Sequence, residues 1–204
     1  MSDSRKSCKQ LVHKHLRSRI ETLEILWNSR RVGENGYEEV KELYERQEAL
    51  KEKYPKKPRK GSQARAEYDD EAATIEAEVS GLDGEQEFLY EHFQEAEDLG
   101  GCEAYQQYGL SLDYVEWDEE HQYGDFICWL LSTGGPGDEF NFYTTMNGHL
   151  RWVEYRYKDW FDGAGQTLKG TDEKLLREIF EDFRECGVID NILRKHRDPC
   201  GALQ

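Results

Sequence analysis

The sequence predicts an α+β protein: an N-terminal helical hairpin or bundle, then a four-stranded antiparallel sheet with one C-terminal packing helix. Three observations carry this expectation. Apolar residues recur every three or four positions up to about residue 98, then every second position from Tyr108. Of the 25 aromatic residues, seventeen lie between Tyr105 and Phe183, which places a substantial core there. A last stretch, 172–186, returns to helical spacing. The expected regions are 1–100 (helical), 105–190 (sheet plus helix) and a polar tail, 191–204.

The first helix spans 4–30. Val12, Leu16, Ile20, Leu23 and Trp27 form one apolar stripe, and Lys6, Lys9, Lys14, Arg17 and Arg19 make the other side basic. GENG at 33–36 breaks it. A second helix covers 37–53 with Val40, Tyr44 and Leu50 inward, and a loop with two prolines follows at 53–63. From Tyr68 to Ala96 the apolar residues keep 4-3-4-3 spacing through Gly81 and Gly84, which favours one long helix over 64–98, ended by Gly100-Gly101.

Period-two alternation then marks strands. YGLSLDYVEW (108–117) alternates, DFICWLLST (125–133) is a nearly continuous apolar run suited to a central strand, and EFNFYTT (139–145) alternates again. Gly134-Gly135-Pro136-Gly137 and Asn147-Gly148 are turns. The fourth strand is LRWVEYRYKDW (150–160). Short links between successive strands imply a meander. Thr171-Asp172 caps the final helix, whose apolar face is Leu175, Leu176, Ile179, Phe180 and Phe183.

Charge narrows the function. The chain carries 27 Lys+Arg against 43 Asp+Glu, a formal −16, which argues against a general nucleic-acid binder and against direct DNA contact. Residues 1–60 are nevertheless basic, with 16 Lys+Arg and 10 Asp+Glu. From Ala66 to Leu150 there are 22 carboxylates and no Lys or Arg. Solvated surfaces ordinarily mix signs, because opposite neighbours attract. A window without bases suits a carboxylate surface facing a basic partner; the plainer account is acidic solubility. Within it, Glu87, Glu91, Glu95 and Asp98 follow helical spacing, ~5–6 Å between neighbours, similar to successive phosphates of a strand. Asp118, Glu119 and Glu120 form an acidic hairpin loop flanked by Trp117 and Tyr123, aromatic candidates for desolvated anchors.

No apolar run approaches ~18 residues, and the first residues have no apolar segment behind their charges, so neither a membrane span nor a secretory signal is expected. Five scattered cysteines suit reduced thiols in a cytosol. Catalytic and cofactor chemistry is weakly signalled. Gly134–Gly137 lacks the lysine of a phosphate-binding loop. Asp159, Asp162 and Glu154 could hold Mg²⁺, though Asp162-Gly163 is also a turn pair. Cys128 with His149 could form a nucleophile pair, but Cys128 sits in an apolar run. No cysteine–histidine spacing matches a zinc site. KKPRK at 56–60 reads as an import or phosphate patch, or as a solvated loop. The basic first part could also pair with the acidic part, within one chain or between two. We expect no catalytic residues, metal or cofactor.

LSTGGPGDEF (131–140) and EYRYKDWFDGA (154–164) resemble the signature of a small domain found in plasmid- and phage-borne proteins, roughly LSxGGPxxEF followed by EYxYxDWFDGA. The matching residues are Leu131, Ser132, Gly134, Gly135, Pro136, Glu139, Phe140, Glu154, Tyr155, Tyr157, Asp159, Trp160, Phe161, Asp162, Gly163 and Ala164. The resemblance covers about 108–168 and implies a mobile-element setting, where small acidic proteins counter restriction or CRISPR systems. With the acidic helical region, it leads to the expectation of an anti-CRISPR-type inhibitor. Such a protein would compete with nucleic acid on a CRISPR effector, or on a restriction enzyme. The alternatives are a protein–protein interaction or dimerisation module, with a homodimer as one form, and, third, a metal-dependent enzyme using Asp159 and Asp162.

Overall fold

The computed structural model describes residues 7–116, 124–145, 147–160 and 162–197. The fold is α+β, as the change of period predicts. Five antiparallel strands form a meander in the order β1-β2-β3-β4-β5: Ser111–Val115, Phe126–Ser132, Pro136–Thr144, Leu150–Asp159 and Asp162–Thr167. The helices are α1 (Cys8–Lys53), α2 (Gln63–Val79), α3 (Gly84–Glu91), α4 (Phe93–Asp98), the one-turn α5 (Ala104–Gln107), α6 (Gly170–Glu185) and α7 (Val188–Arg197). The chain divides into two compact units, 22–106 and a sheet unit that joins 1–21 to 107–204. No helix among the described residues is long and apolar enough to cross a membrane.

Four elements differ from expectation. The break at GENG shrinks to one residue, Gly33, whose φ of 67° is open to glycine; helix runs on either side of it. The expected helix over 64–98 is three helices. Asp83 caps α3 by accepting from the Glu85 and Gln86 backbone N–H groups, and Gln86 returns a bond to Asp83, a capping box that restarts the helix. A second break falls at His92, with φ −109°. The sheet has five strands, not four: β5, DGAGQT, has no apolar alternation and pairs with β4 as an edge strand. The expected polar tail over 191–204 is helical as far as Arg197, as the end of α7, with Leu193 buried.

In the sheet unit, alternation sorts the side chains. Ile127, Trp129, Phe140, Phe142, Val153, Tyr155 and Tyr157 share one face and are buried. Helix α6 covers it: Phe180 meets Phe142 at 5.2 Å and Phe183 meets Trp129 at 5.1 Å. The first turns of α1 lie on the same face, with His15 stacked on Tyr157 at 4.2 Å. Gly109 permits a close approach at the entry to β1: a Cβ there would stand 2.3 Å from the Trp129 indole nitrogen, and φ is +92°. In the helical unit the core is Ile25, Tyr37, Val40, Leu89, Phe93 and Ala96, so α1 packs on α3 and α4.

Candidate functional site

Arginines of α1 engage the α2–α3 side: Arg46 meets Glu71 at 3.3 Å and Glu78 at 2.6 Å, and Arg31 meets Glu85 at 2.5 Å. Glu71 and Glu78, seven apart on α2, share the side of that helix that meets α1, and Glu85 meets it from α3. Part of the base-free window is therefore neutralised by bases outside it. Glu87, Glu91, Glu95 and Asp98 are exposed, and among the described residues no Lys or Arg pairs with them. Glu95 meets His92 Nδ1 at 2.9 Å and Asp98 accepts from Gln94 at 3.1 Å. Glu97, between them, accepts from the Tyr37 hydroxyl at 2.7 Å. The four do not form one helical row, because the break at His92 separates Glu87 and Glu91 from Glu95 and Asp98. Trp117, Asp118, Glu119, Glu120 and Tyr123 lie outside the described residues.

The two signature stretches become one structural unit. β3 pairs with β4 from Pro136↔Asp159 to Phe140↔Tyr155, so the β2–β3 and β4–β5 turns sit at the same end of the sheet. Signature residues Ser132, Tyr155 and Asp162 make hydrogen bonds that hold the fold. Asp138, within the first stretch and 4% exposed, accepts from Ser132, from the Tyr155 hydroxyl at 2.8 Å and from both prongs of Arg19 at 2.6 and 2.9 Å. Burial pushes the Asp138 carboxyl up, and these hydrogen bonds more than offset it, holding it below its ordinary value. Asp162 accepts the Cys8 backbone N–H at 2.6 Å, capping α1 from a distance of 154 residues.

That capping role bears on the enzyme alternatives. Asp162 is occupied by a helix N-terminus, and no group of three metal-ligating side chains occurs among the described residues. Cys128 lies in surroundings that favour the neutral thiol over the thiolate. Burial, with the Glu139 charge and hydrogen bond, pushes its thiol up to about 12. Among the described residues no hydrogen bond joins it to His149, whose backbone N–H goes to Thr145.

The opposite sheet face mixes aromatic residues, Phe126, Tyr143 and Trp152, with buried polar groups. Glu139, 5% exposed, pairs with Lys158 at 2.9 Å, and Tyr143 donates to Glu154 at 3.0 Å. Gly165 makes room for that carboxylate: a Cβ would lie 2.2 Å from a Glu154 oxygen. Fully buried Asn141 donates weakly to Glu139 at 3.4 Å while its Oδ1 lacks a partner.

Among the described signature residues, one large apolar side chain faces solvent. Trp160, at the β4–β5 turn, is 76% exposed and holds φ +53°, where side chains are strained.

Sequence reasoning named Arg19 on the basic side of the first helix and Glu139 in the signature, but missed their partners Asp138 and Lys158. The available signal was an arginine on the helix stripe's border and two acids at a strand start. Trp160 stands in a hairpin turn, where Asn or Gly is the usual residue at positive φ.

No family model, curated protein or solved structure matches the chain.

Proposed function

We propose that the protein is a non-catalytic inhibitor that binds a basic, nucleic-acid-handling defence effector, a CRISPR effector first and a restriction enzyme second. The observation that supports this is the division of carboxylates in the helical unit. Residues 22–106 carry 22 Asp/Glu against 11 Lys/Arg. The α1 arginines meet Glu71, Glu78 and Glu85, while Glu87, Glu91, Glu95 and Asp98 face solvent without Lys or Arg partners among the described residues. Leaving exposed like charges unneutralised forgoes a few tenths of a kcal/mol per neighbouring pair, a cost that a basic partner would reverse. The inhibitor would work by competition: carboxylates on α3 and α4 occupy the lysines and arginines that otherwise hold phosphates.

Charge reversal tests it. With Glu87, Glu91, Glu95 and Asp98 changed to Lys, the folded variant should lose inhibition of the effector's nucleic-acid binding. Unchanged inhibition would remove the competition mechanism.

A second function, an interaction or dimerisation module, is favoured by one feature. A cavity of about 420 Å³ lies in the helical unit, lined mainly by apolar groups of Leu50, Tyr54, Tyr68, Ala72, Ile75 and Val79. Binding through it would vary little with salt, whereas binding through the carboxylates would weaken steeply.

A further inference from the structure

Strand β5 closes the sheet on one side, with β4 as its neighbour. The Leu168 N–H bonds to the Val153 carbonyl at 2.9 Å, which makes these two a hydrogen-bonded pair. Antiparallel pairs alternate between bonded and non-bonded. Gln166, Ala164 and Asp162 therefore turn their backbone groups toward β4, and Thr167, Gly165 and Gly163 turn theirs outward. All three outward residues are exposed, and no hydrogen bond reaches their outward groups among the described residues. Exposed edges ordinarily carry a proline, a central charge or a bulge, or lie under another element. The stretch DGAGQT has no proline and one charge, Asp162, at its first residue. Its register runs without a shift from Glu154↔Thr167 to Asp159↔Asp162. The other edge is protected: β1 carries exposed Asp113 at its middle, and α7 lies beside it, with His196 stacked on Tyr114 at 3.9 Å.

We propose that β5 pairs with β5 of a second copy of this chain, antiparallel and centred on Gly165, joining two five-stranded sheets into one. In this register Gly165 meets Gly165 of the second copy, and Gly163 and Thr167 meet crosswise. Every outward N–H and C=O of the three residues then finds a partner. Glycine on both sides leaves no side chain to hold the backbones apart. Charge selects a second copy over an unrelated strand. Asp159 and Asp162 stand at one end of β5, and exposed Lys169 follows the other end, so the antiparallel register sets acid beside base at both ends. The centre is balanced too. The Glu154 carboxylate lies against Gly165, and Arg156 stands opposite Gly165 with no ion pair among the described residues. The two-fold axis gathers two carboxylates and two guanidiniums. The interface uses the sheet unit alone and is independent of both the inhibitor carboxylates and the cavity in the helical unit.

The test is sedimentation of the full chain under reductant, with amide hydrogen exchange read by NMR on the same samples. Each chain carries −16, which opposes association at long range, so the salt is ~0.15 M, where the screening length is about 8 Å. Between about 10 µM and 1 mM, the range of weak specific association, the mass should rise from 24.0 kDa toward twice that value. Over the same range, exchange at Gly163, Gly165 and Thr167 should slow about tenfold or more, while Ala164 and Gln166, bonded to β4, stay protected throughout. Gly163→Pro should weaken the pairing about tenfold or more. Its Cβ meets only ordinary contacts, Tyr157 O at 3.8 Å and the Lys158 side chain at 3.9 Å, and the N–H it removes points away from β4. A chain that stays monomeric to 1 mM would overturn the proposal and leave the edge to an extended segment of another protein. A dimer whose three outward amides exchange as fast as in the monomer would overturn it in favour of another interface. So would slow exchange at those amides at every concentration, which would mean that the edge is covered within one chain.

Discussion

Arg19 and Asp138, 119 positions apart, meet as a two-pronged ion pair that ties the first turns of α1 to the start of β3. The Asp138 carboxylate is 4% exposed, so its charge depends on this partner and on the hydroxyls of Ser132 and Tyr155. Arg19→Met leaves that carboxylate buried without its cation. We expect a loss of about 3 kcal/mol, read by urea unfolding. Asp138→Asn in the same chain should restore part of it. A loss under about 1 kcal/mol, as for surface pairs, would show that the pair is peripheral.

The same carboxylate sets an acid limb. The folded-state value of Asp138 is depressed, so its contribution is present above the unfolded carboxylate range, about pH 4, and is lost as pH falls through the folded value. Stability should fall below about pH 4, and Asp138→Asn should make that limb shallower. An equally steep limb in the variant would assign acid sensitivity to other groups.

Cys128 is expected to stay protonated. With its thiol pushed up to about 12 by burial and then by Glu139, it should resist alkylation at pH 8 while exposed Cys186 reacts. Glu139→Gln removes the charge that raises it, so alkylation of Cys128 should speed up. Rapid reaction of Cys128 in the unaltered protein would reopen nucleophile chemistry on β2.

Trp160→Gly should stabilise the protein by about 1 kcal/mol, because glycine adopts φ +53° freely and the exposed indole contributes little packing. Thermal unfolding reads this. A destabilised variant would mean that the Trp160 ring holds the turn in place.

Much of the architecture is legible in residue spacing. The period change near Tyr108, the Asn147-Gly148 turn, and the stripe Leu176, Ile179 and Phe180 all appear as the spacing implies. The misses have physical causes. Strand β5 carries no hydrophobic signal because it is glycine-rich and pairs through its backbone. The break before α3 is made by the Asp83–Gln86 capping box, which overrides a continuous apolar register. The exposed carboxylates were readable as helix-surface positions. Which of them would be neutralised was not, because Arg31 and Arg46 reach Glu85, Glu71 and Glu78 only through the fold. Asp138 was hidden for the same reason: its partner is 119 residues away.

The most direct measurement of the central claim is capture of partners by the immobilised chain from cells carrying CRISPR and restriction systems, repeated with the Glu87/Glu91/Glu95/Asp98→Lys variant. Both are washed at low salt and then at ~1 M salt, where the screening length is about 3 Å. The carboxylate mechanism predicts a basic nucleic-acid-handling effector held by the unaltered chain, released by salt and absent from the variant. An effector held equally by both proteins through high salt would contradict it.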